Sequence, residues 1–287
     1  MMRNVFLRRA MLAAMTVVAG GLISATLARY APGFGTDERQ LDARLSSNSI
    51  AALRDLHADE RNVVLYYANS LRRALHGDLG FSRSFNRPVR QLLAERSVVT
   101  LRVAGEGLAV AWIAASLAVG ATWMFRAPAL AGSISLFGGM LLCLPAAVMA
   151  LLCILLNAPG YLALALIVFP KVYRYLGDLV SDARQMPHLI TAQAKGVSDL
   201  RLLFWHVMPV LKRETLALAG VSVGLAISAA IPVEALCGIP GIGQLAWQSA
   251  LARDIPLLIT LSVLVIACVT LANAGADLLA EERRAVA

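Results

Sequence analysis

Charged residues are scarce in this chain of 287 amino acids. They make up 15% of the sequence, whereas hydrophobic residues make up 59%. Soluble domains usually contain about a quarter charged residues and about half apolar ones. The apolar residues also fall in blocks, and several blocks approach or exceed the ~18–20 uncharged residues that a helix needs to cross ~30 Å of hydrocarbon. The sequence therefore predicts an integral membrane protein.

Sequence patterns typical of catalytic and metal sites are missing. The four cysteines form no CxxC pair and the four histidines have no ligand spacing, so neither a disulfide framework nor a metal site is indicated. No HExxH motif is present, which argues against a metal-dependent intramembrane enzyme. The net charge of +8 comes without a basic run interleaved with aromatic residues. We therefore expect no nucleic-acid partner, and we expect the basic residues to meet anionic membrane lipid.

The apolar blocks predict an all-α polytopic protein with about six transmembrane helices. The predicted spans are residues 10–28, 98–125, 129–156, 161–179, 215–231 and 255–276, with Pro145 in the middle of the third. A cleaved signal peptide competes for the first block, because that block follows a basic flank. The block is long for a signal peptide, however, and Arg29-Tyr30-Ala31-Pro32 is a poor cleavage site, so an uncleaved anchor helix is favoured.

The charges beside the spans predict that both termini are cytoplasmic. An N-terminus inside places Arg126, residues 180–214 and the C-terminus in the cytoplasm, and all three lysines then lie on or beside that one cytoplasmic loop. We expect an anchor helix over residues 1–29 and an extracytoplasmic helical insertion over residues 30–97. A five-helix core follows over residues 98–287, with the cytoplasmic loop at about 180–214.

The cytoplasmic loop contains a short predicted helix. It begins at Pro187, its residues 191–195 have small side chains on one side and polar ones on the other, and Gly196 supplies the stop that glycine often provides at a helix end. A second amphipathic helix over residues 200–207 precedes Pro209. A short helix between two spans offers a surface through which a soluble protein can transmit force to both spans.

This loop resembles the signature of a known family. Residues 191–198 read Thr-Ala-Gln-Ala-Lys-Gly-Val-Ser, and permease subunits of binding-protein-dependent ABC importers for dipeptides, oligopeptides and nickel commonly have Thr-Ala-Arg-Ala-Lys-Gly-Leu-Ser. Four further stretches resemble the same family in order: residues 77–89, residues 142–145 (Leu-Cys-Leu-Pro), residues 234–243 and residues 252–256 (Ala-Arg-Asp-Ile-Pro). Together they cover nearly the whole chain.

The resemblance implies a bacterial inner-membrane, multi-pass subunit of the type I ABC importer permease kind. Such a subunit forms half of a translocation pathway, here for peptides, and couples closure of the ATPases to alternating access. Its implied partners are a second homologous permease, two ATP-binding cassette subunits that bind ATP and Mg, and an extracytoplasmic solute-binding protein. The permease binds no cofactor and is not an enzyme. The implied ATPase-coupling residues are Thr191, Ala192, Gln193, Ala194, Lys195, Gly196 and Ser198.

A second group of residues is predicted to line or gate the pathway. Arg102 and Glu106 lie four apart on one helix face, and an unpaired charge within a span costs at least ~2.5–3.5 kcal/mol. Pro145 introduces a kink that gating can use. Glu234 and the Pro240-Gly241 turn shape the outer loop.

Two alternatives stay open at this point. One is an importer of the same family for nickel complexes or another small solute. The other is a standalone secondary transporter, although the internal repeat that is common in that class is not evident.

Overall fold

The structure is a computed structural model that describes residues 2–30, 63–82, 84–125, 127–252 and 254–281. The middle of the predicted insertion, Arg126, and the tail after residue 281 lie outside the described residues.

Helices make up nearly all of the described chain, and the all-α polytopic fold is confirmed. One hairpin of two-residue strands is the exception, with Phe81 opposite Pro88. The elements are α1 Met2–Tyr30, α2 Val63–Leu75, β1 Phe81–Ser82, β2 Arg87–Pro88, α3 Val89–Phe125, α4 Pro128–Cys143, α5 Ala146–Leu155, α6 Gly160–Arg184, α7 Pro187–Ala194, α8 Asp199–Leu202, a π-helical turn Leu203–Val207, α9 Met208–Cys237, α10 Ile242–Leu251 and α11 Ile255–Glu281.

Every predicted span is mostly helical, but fewer than six helices meet the length and composition needed to cross a membrane. Among the described residues three do so, Val89–Phe125, Asp199–Cys237 and Ile255–Ala276, and a bent pair makes a possible fourth. In α1 the apolar part is limited to Met11–Leu27. The second half of α6 carries several charged residues, which lower its hydropathy. The estimate of about six spans therefore exceeds what these criteria support.

The third predicted span is not one helix. It divides into α4 and α5, whose axes meet at 103°. Pro145 has no N–H to continue the ladder, and the residue before a proline is pushed out of the α region. Leu144 is accordingly extended, with φ −88° and ψ 127°. The proline that was expected to kink a helix therefore ends one helix and caps the next.

The described chain separates into two compact units. The first combines the described residues up to residue 97 with those in 245–267, and the second combines the described residues in 98–244 with those from residue 268 onward. In the first unit α1 packs on α2, where Ala25, Tyr67 and Ile259 form a small core. The Ser24 hydroxyl donates to the Ser262 hydroxyl at 2.8 Å. The Tyr67 hydroxyl has no hydrogen-bond partner among the described residues, and burial raises the pKa of this phenol.

Small residues let the helices of the second unit approach closely. A Cβ on Gly107 of α3 would lie 2.7 Å from the Leu164 Cβ in α6, so these helices cross with no room for a side chain. On α9, Gly220 and Gly224 form a GxxxG pair that faces α11. A Cβ on Gly220 would lie 2.9 Å from the Ala276 Cβ, and one on Gly224 would lie 2.9 Å from the Asn273 Oδ1. Such small-residue contacts are a common basis of helix association in lipid.

Candidate functional site

The predicted coupling helix exists as α7, and its sequence explains how it is seated. Pro187 starts the helix, because a proline at the first position sacrifices no hydrogen bond. Leu189 is 1% exposed and belongs to the core of the second unit, and Ala192 packs against that core. The Thr191 hydroxyl donates to the Pro187 carbonyl at 2.9 Å. One face of α7 is thus held by apolar contacts.

The other face of α7 and the turn after it are exposed. Gln193, Ala194 and Lys195 are all accessible, and the chain reverses at Gly196, where φ is +80°. This is the left-handed conformation that glycine adopts without strain, and the helix therefore ends at the glycine that the sequence predicted would end it. The Val197 amide donates to the Ala192 carbonyl at 3.3 Å and closes the turn. The exposed residues 193–196, together with Thr191, Ala192 and Ser198, are called the coupling segment below.

The second amphipathic helix differs from its prediction. It was expected to end before Pro209, but α8, the π-helical turn and α9 form one continuous segment through Cys237. Pro209 falls in the first turn of α9, directly after the π-helical turn in which the Met208 amide donates to the Leu203 carbonyl. The π-helical turn exposes Phe204 (60%) and Trp205 (76%), two large aromatics that the sequence reasoning missed. The sequence did contain a signal for them, since a Phe-Trp pair is unusual inside a polar loop.

An arginine–tryptophan contact fixes the loop to the spans. The Trp123 indole N–H donates to the Asp199 carbonyl of α8 at 3.1 Å. Arg184, the last residue of α6, donates from Nη2 to the Trp123 carbonyl at 2.9 Å, and its guanidinium carbon lies 3.9 Å from the Trp123 ring centroid. A cation over an indole face is attractive. Three helices are therefore joined directly beside the coupling segment.

The predicted pathway charges are not brought together. Arg102 and Glu106 are both exposed on α3, and within the described ranges neither forms an ion pair. Pro145 lies elsewhere, at the break between α4 and α5.

Glu234 is the buried centre of a separate cluster at the end of α9. Its side chain is fully buried, and its Oε2 accepts a hydrogen bond from the Gly243 amide at 2.7 Å. Gly241 packs directly on the carboxyl group, where a Cβ would clash. The Thr100 hydroxyl accepts from the Ile242 amide at 2.8 Å. The turn that contains the exposed Pro240 is thus tied to α9 through one carboxylate.

Asp254 joins two of the stretches that resembled the family. It is 2% exposed, and its Oδ2 accepts from the Ser82 hydroxyl at 2.5 Å and from the Ser84 amide at 3.0 Å. Its Oδ1 accepts from the Leu257 amide at 3.3 Å and caps the start of α11. Each stretch was recognisable in the sequence by itself, but nothing there indicated that the two meet. Nearby, Arg87 forms two hydrogen bonds to Glu95, which raise the pKa of this guanidinium.

We expect Asp254→Asn to destabilise this hairpin by about 2 kcal/mol. An amide keeps only one acceptor oxygen, so its NH2 group must face an N–H or O–H donor in a buried site. Thermal unfolding of the purified protein measures the effect. Asp78→Asn is the matched control, because Asp78 is exposed and, among the described residues, accepts a hydrogen bond only from the Gly80 amide. Equal stability of the two variants would contradict the assigned role of Asp254.

Comparison with known proteins places the chain in a family. Residues 107–284 match the family described as "Binding-protein-dependent transport system inner membrane component". The chain belongs to this family. It is a permease subunit of the inner membrane, and it is multi-pass.

The relatives of this permease include named peptide transporters. It is 29% identical to the oligopeptide transport system permease protein OppB of Escherichia coli (strain K12) over 292 residues, which cover 92% of each chain. OppB of Salmonella typhimurium has the same identity and coverage. A Brucella ovis protein named as a peptide permease is 27% identical over 271 residues, which cover 79% of this chain and 80% of the relative.

The family match includes most of the geometry described above. The coupling segment, Glu234 with its turn, and Asp254 all lie within residues 107–284 of the permease, whereas Thr100, Arg102 and Glu106 lie just before that range. Among the described residues, no group of three or more histidine, cysteine or acidic side chains is placed to hold a metal ion.

Proposed function

We propose that this permease forms half of the translocation pathway of an ATP-driven peptide importer. A second homologous permease completes the pathway, two ATP-binding cassette subunits bind ATP and Mg, and an extracytoplasmic solute-binding protein delivers the substrate. The peptide class follows the names of the relatives, two of which are oligopeptide permeases. The chain has both termini in the cytoplasm, and residues 98–287 form the core.

The observation that supports ATPase coupling is the two-sided character of α7. Leu189 and Ala192 hold one face of the helix to the core, while Gln193, Ala194 and Lys195 are exposed. Small side chains at such a surface let another protein approach the backbone closely. A force on this surface is transmitted directly to the spans, because the hydrogen bond from the Trp123 indole to the Asp199 carbonyl, at 3.1 Å, links α3 to α8.

In this proposal the two states of the importer differ in the separation of the two coupling segments. When the ATPases close on ATP, they draw the two coupling segments together, and the spans above them reorient to open the pathway on the other side. Arg102, Glu106, Pro145 and the Glu234 turn with Pro240 and Gly241 are the residues that we assign to the pathway or its gates. The permease itself makes no covalent bond to the peptide.

Ala194→Trp tests the coupling segment. Ala194 is exposed and lies outside the described core, so the indole is expected to leave folding intact and to block the approach of the ATPase. Affinity purification of the tagged full chain from mild detergent should recover ATPase subunits and a second permease with the wild type. The variant should lose the ATPases, and with them uptake of a peptide, by at least about tenfold.

The matched control is Ala250→Trp, an equally bulky change at an exposed alanine of α10. It should retain the ATPases. Normal uptake by Ala194→Trp would refute the coupling assignment. A wild-type chain that purifies alone and transports peptide without ATPases would instead identify a standalone secondary transporter.

A further inference from the structure

A pocket with both polar and apolar lining opens between three helices of the second unit. It has a volume of about 320 Å³ and is lined by the last turns of α3, the first turns of α4 and the second half of α6. This size is at the lower end of the range for small-ligand sites. All three segments lie at the helix ends that adjoin the coupling loop, because α3 ends at Phe125, α4 starts at Pro128 and α6 ends at Arg184. The pocket therefore lies at one boundary of the spans and not at their middle.

The charge of the pocket suits a single anion. Arg174 and Arg184 line it together with one acidic residue, Asp178, so the formal charge of the lining is +1. Arg174 is exposed and forms no ion pair within the described part of the chain. Arg184 is held in place by the ring and the carbonyl of Trp123. One guanidinium is thus already oriented, and the other is available.

Hydroxyl groups add donors beside the two arginines. Ser135 of α4 and Ser181 of α6 line the pocket, and in the described ranges neither side chain forms a hydrogen bond. Guanidinium and hydroxyl donors around one cavity match the oxygens of a phosphate group, because arginine offers a planar fork of N–H groups. Tyr173 and Trp123, which are both buried, add aromatic side chains to the lining.

We propose that this pocket binds a phosphodiester group, and that its source is the headgroup of an anionic phospholipid. A lipid headgroup is already concentrated at the boundary of the spans, whereas free phosphate must be recruited from solution. Basic pockets between spans are a recognised form of headgroup site. The acyl chains extend along exposed apolar side chains next to the pocket, such as Phe125 (71%) and Leu136 (63%). The lipid bridges α4 and α6 beside the Trp123–Arg184 contact.

Retention of lipid by the purified full chain, with any subunits that co-purify, tests the proposal. The protein is exchanged into detergent that contains equal amounts of phosphatidylglycerol and phosphatidylcholine, and native mass spectrometry counts the lipids that remain bound. The wild type should retain phosphatidylglycerol preferentially. Arg174→Gln should weaken its binding by roughly tenfold, because a charge-assisted contact is lost. Asp178→Asn should strengthen it, because the opposing carboxylate is removed.

Arg213→Gln is the matched control, since Arg213 is exposed on α9 and does not line the pocket. It should bind phosphatidylglycerol as the wild type does. Equal retention by the wild type and Arg174→Gln would overturn the proposal, as would weaker binding by Asp178→Asn. If inorganic phosphate displaces phosphatidylglycerol at an equal concentration of phosphate groups, the source is a free anion and the lipid assignment is wrong. Arg184 is left unchanged in this series because it also holds Trp123.

Discussion

Gly243→Ala is expected to prevent accumulation of the folded permease. A Cβ at this position would lie 2.5 Å from the Ile231 Cα and 2.6 Å from the Ile231 carbonyl oxygen. Backbone atoms cannot turn aside as the end of a flexible side chain can, so α9 or α10 must shift. The same shift would stretch the 2.7 Å hydrogen bond from the Gly243 amide to Glu234. We expect a loss of about 3 kcal/mol in the free energy of unfolding, at the upper end for one added methyl group.

Fluorescence-detected size-exclusion chromatography after heating measures the loss. Gly139→Ala is the control, because that glycine lies in α4 with no atom within 4 Å of the added methyl. Both substitutions reduce the conformational freedom of the unfolded chain in the same way, so the difference between them reports the folded state. Equal thermal midpoints would show that the turn after α9 is not packed as described.

Gly220→Leu is expected to separate α9 from α11. The added side chain would meet the Ala276 Cβ and the Ala272 carbonyl oxygen, where even one Cβ would lie within 3.3 Å of each. Because lipid is as apolar as the leucine, no hydrophobic gain compensates for the lost helix contact. We expect destabilisation by about 3 kcal/mol, measured as a lower SDS concentration at the midpoint of unfolding.

Gly275→Leu provides the comparison, since it adds the same side chain to α11 at a position with nothing within 4 Å of the Cβ. It should unfold close to the wild type. If both variants unfold at the same SDS concentration, the close approach of the two helices is not what stabilises the second unit.

The helices were predictable because their determinants are local. Blocks of apolar residues marked every span, and Gly196 marked the end of the coupling helix, where φ is +80°. The family could also be predicted, because the motif in residues 191–198 stood in the correct order with four others. Even the close contact of α9 had a local signal, since Gly220 and Gly224 are a GxxxG pair that the sequence reasoning did not use.

The remaining features depend on residues far apart in the chain. Asp254 meets Ser82 across 172 residues, and Trp123 meets Asp199 across 76. No periodicity or composition within either segment indicates such a partner. The 103° break at Pro145 was underestimated for a related reason. A proline indicates that the helical ladder is interrupted, but the angle between the two halves is set by what each half packs against.

That break bears on how the protein enters the membrane during synthesis. At 1.5 Å per residue, the 16 residues of α4 and the 10 residues of α5 reach about 24 Å and about 15 Å, and neither covers ~30 Å of hydrocarbon alone. A translocon that releases helices one by one into lipid would leave the last carbonyl groups of α4 there without a helical partner, apart from that of Leu141, which accepts from the Leu144 amide at 3.2 Å. Both halves pack on α6, which is synthesised immediately afterwards. The bent segment is therefore expected to wait at the translocon until α6 emerges, and all three helices then leave it together.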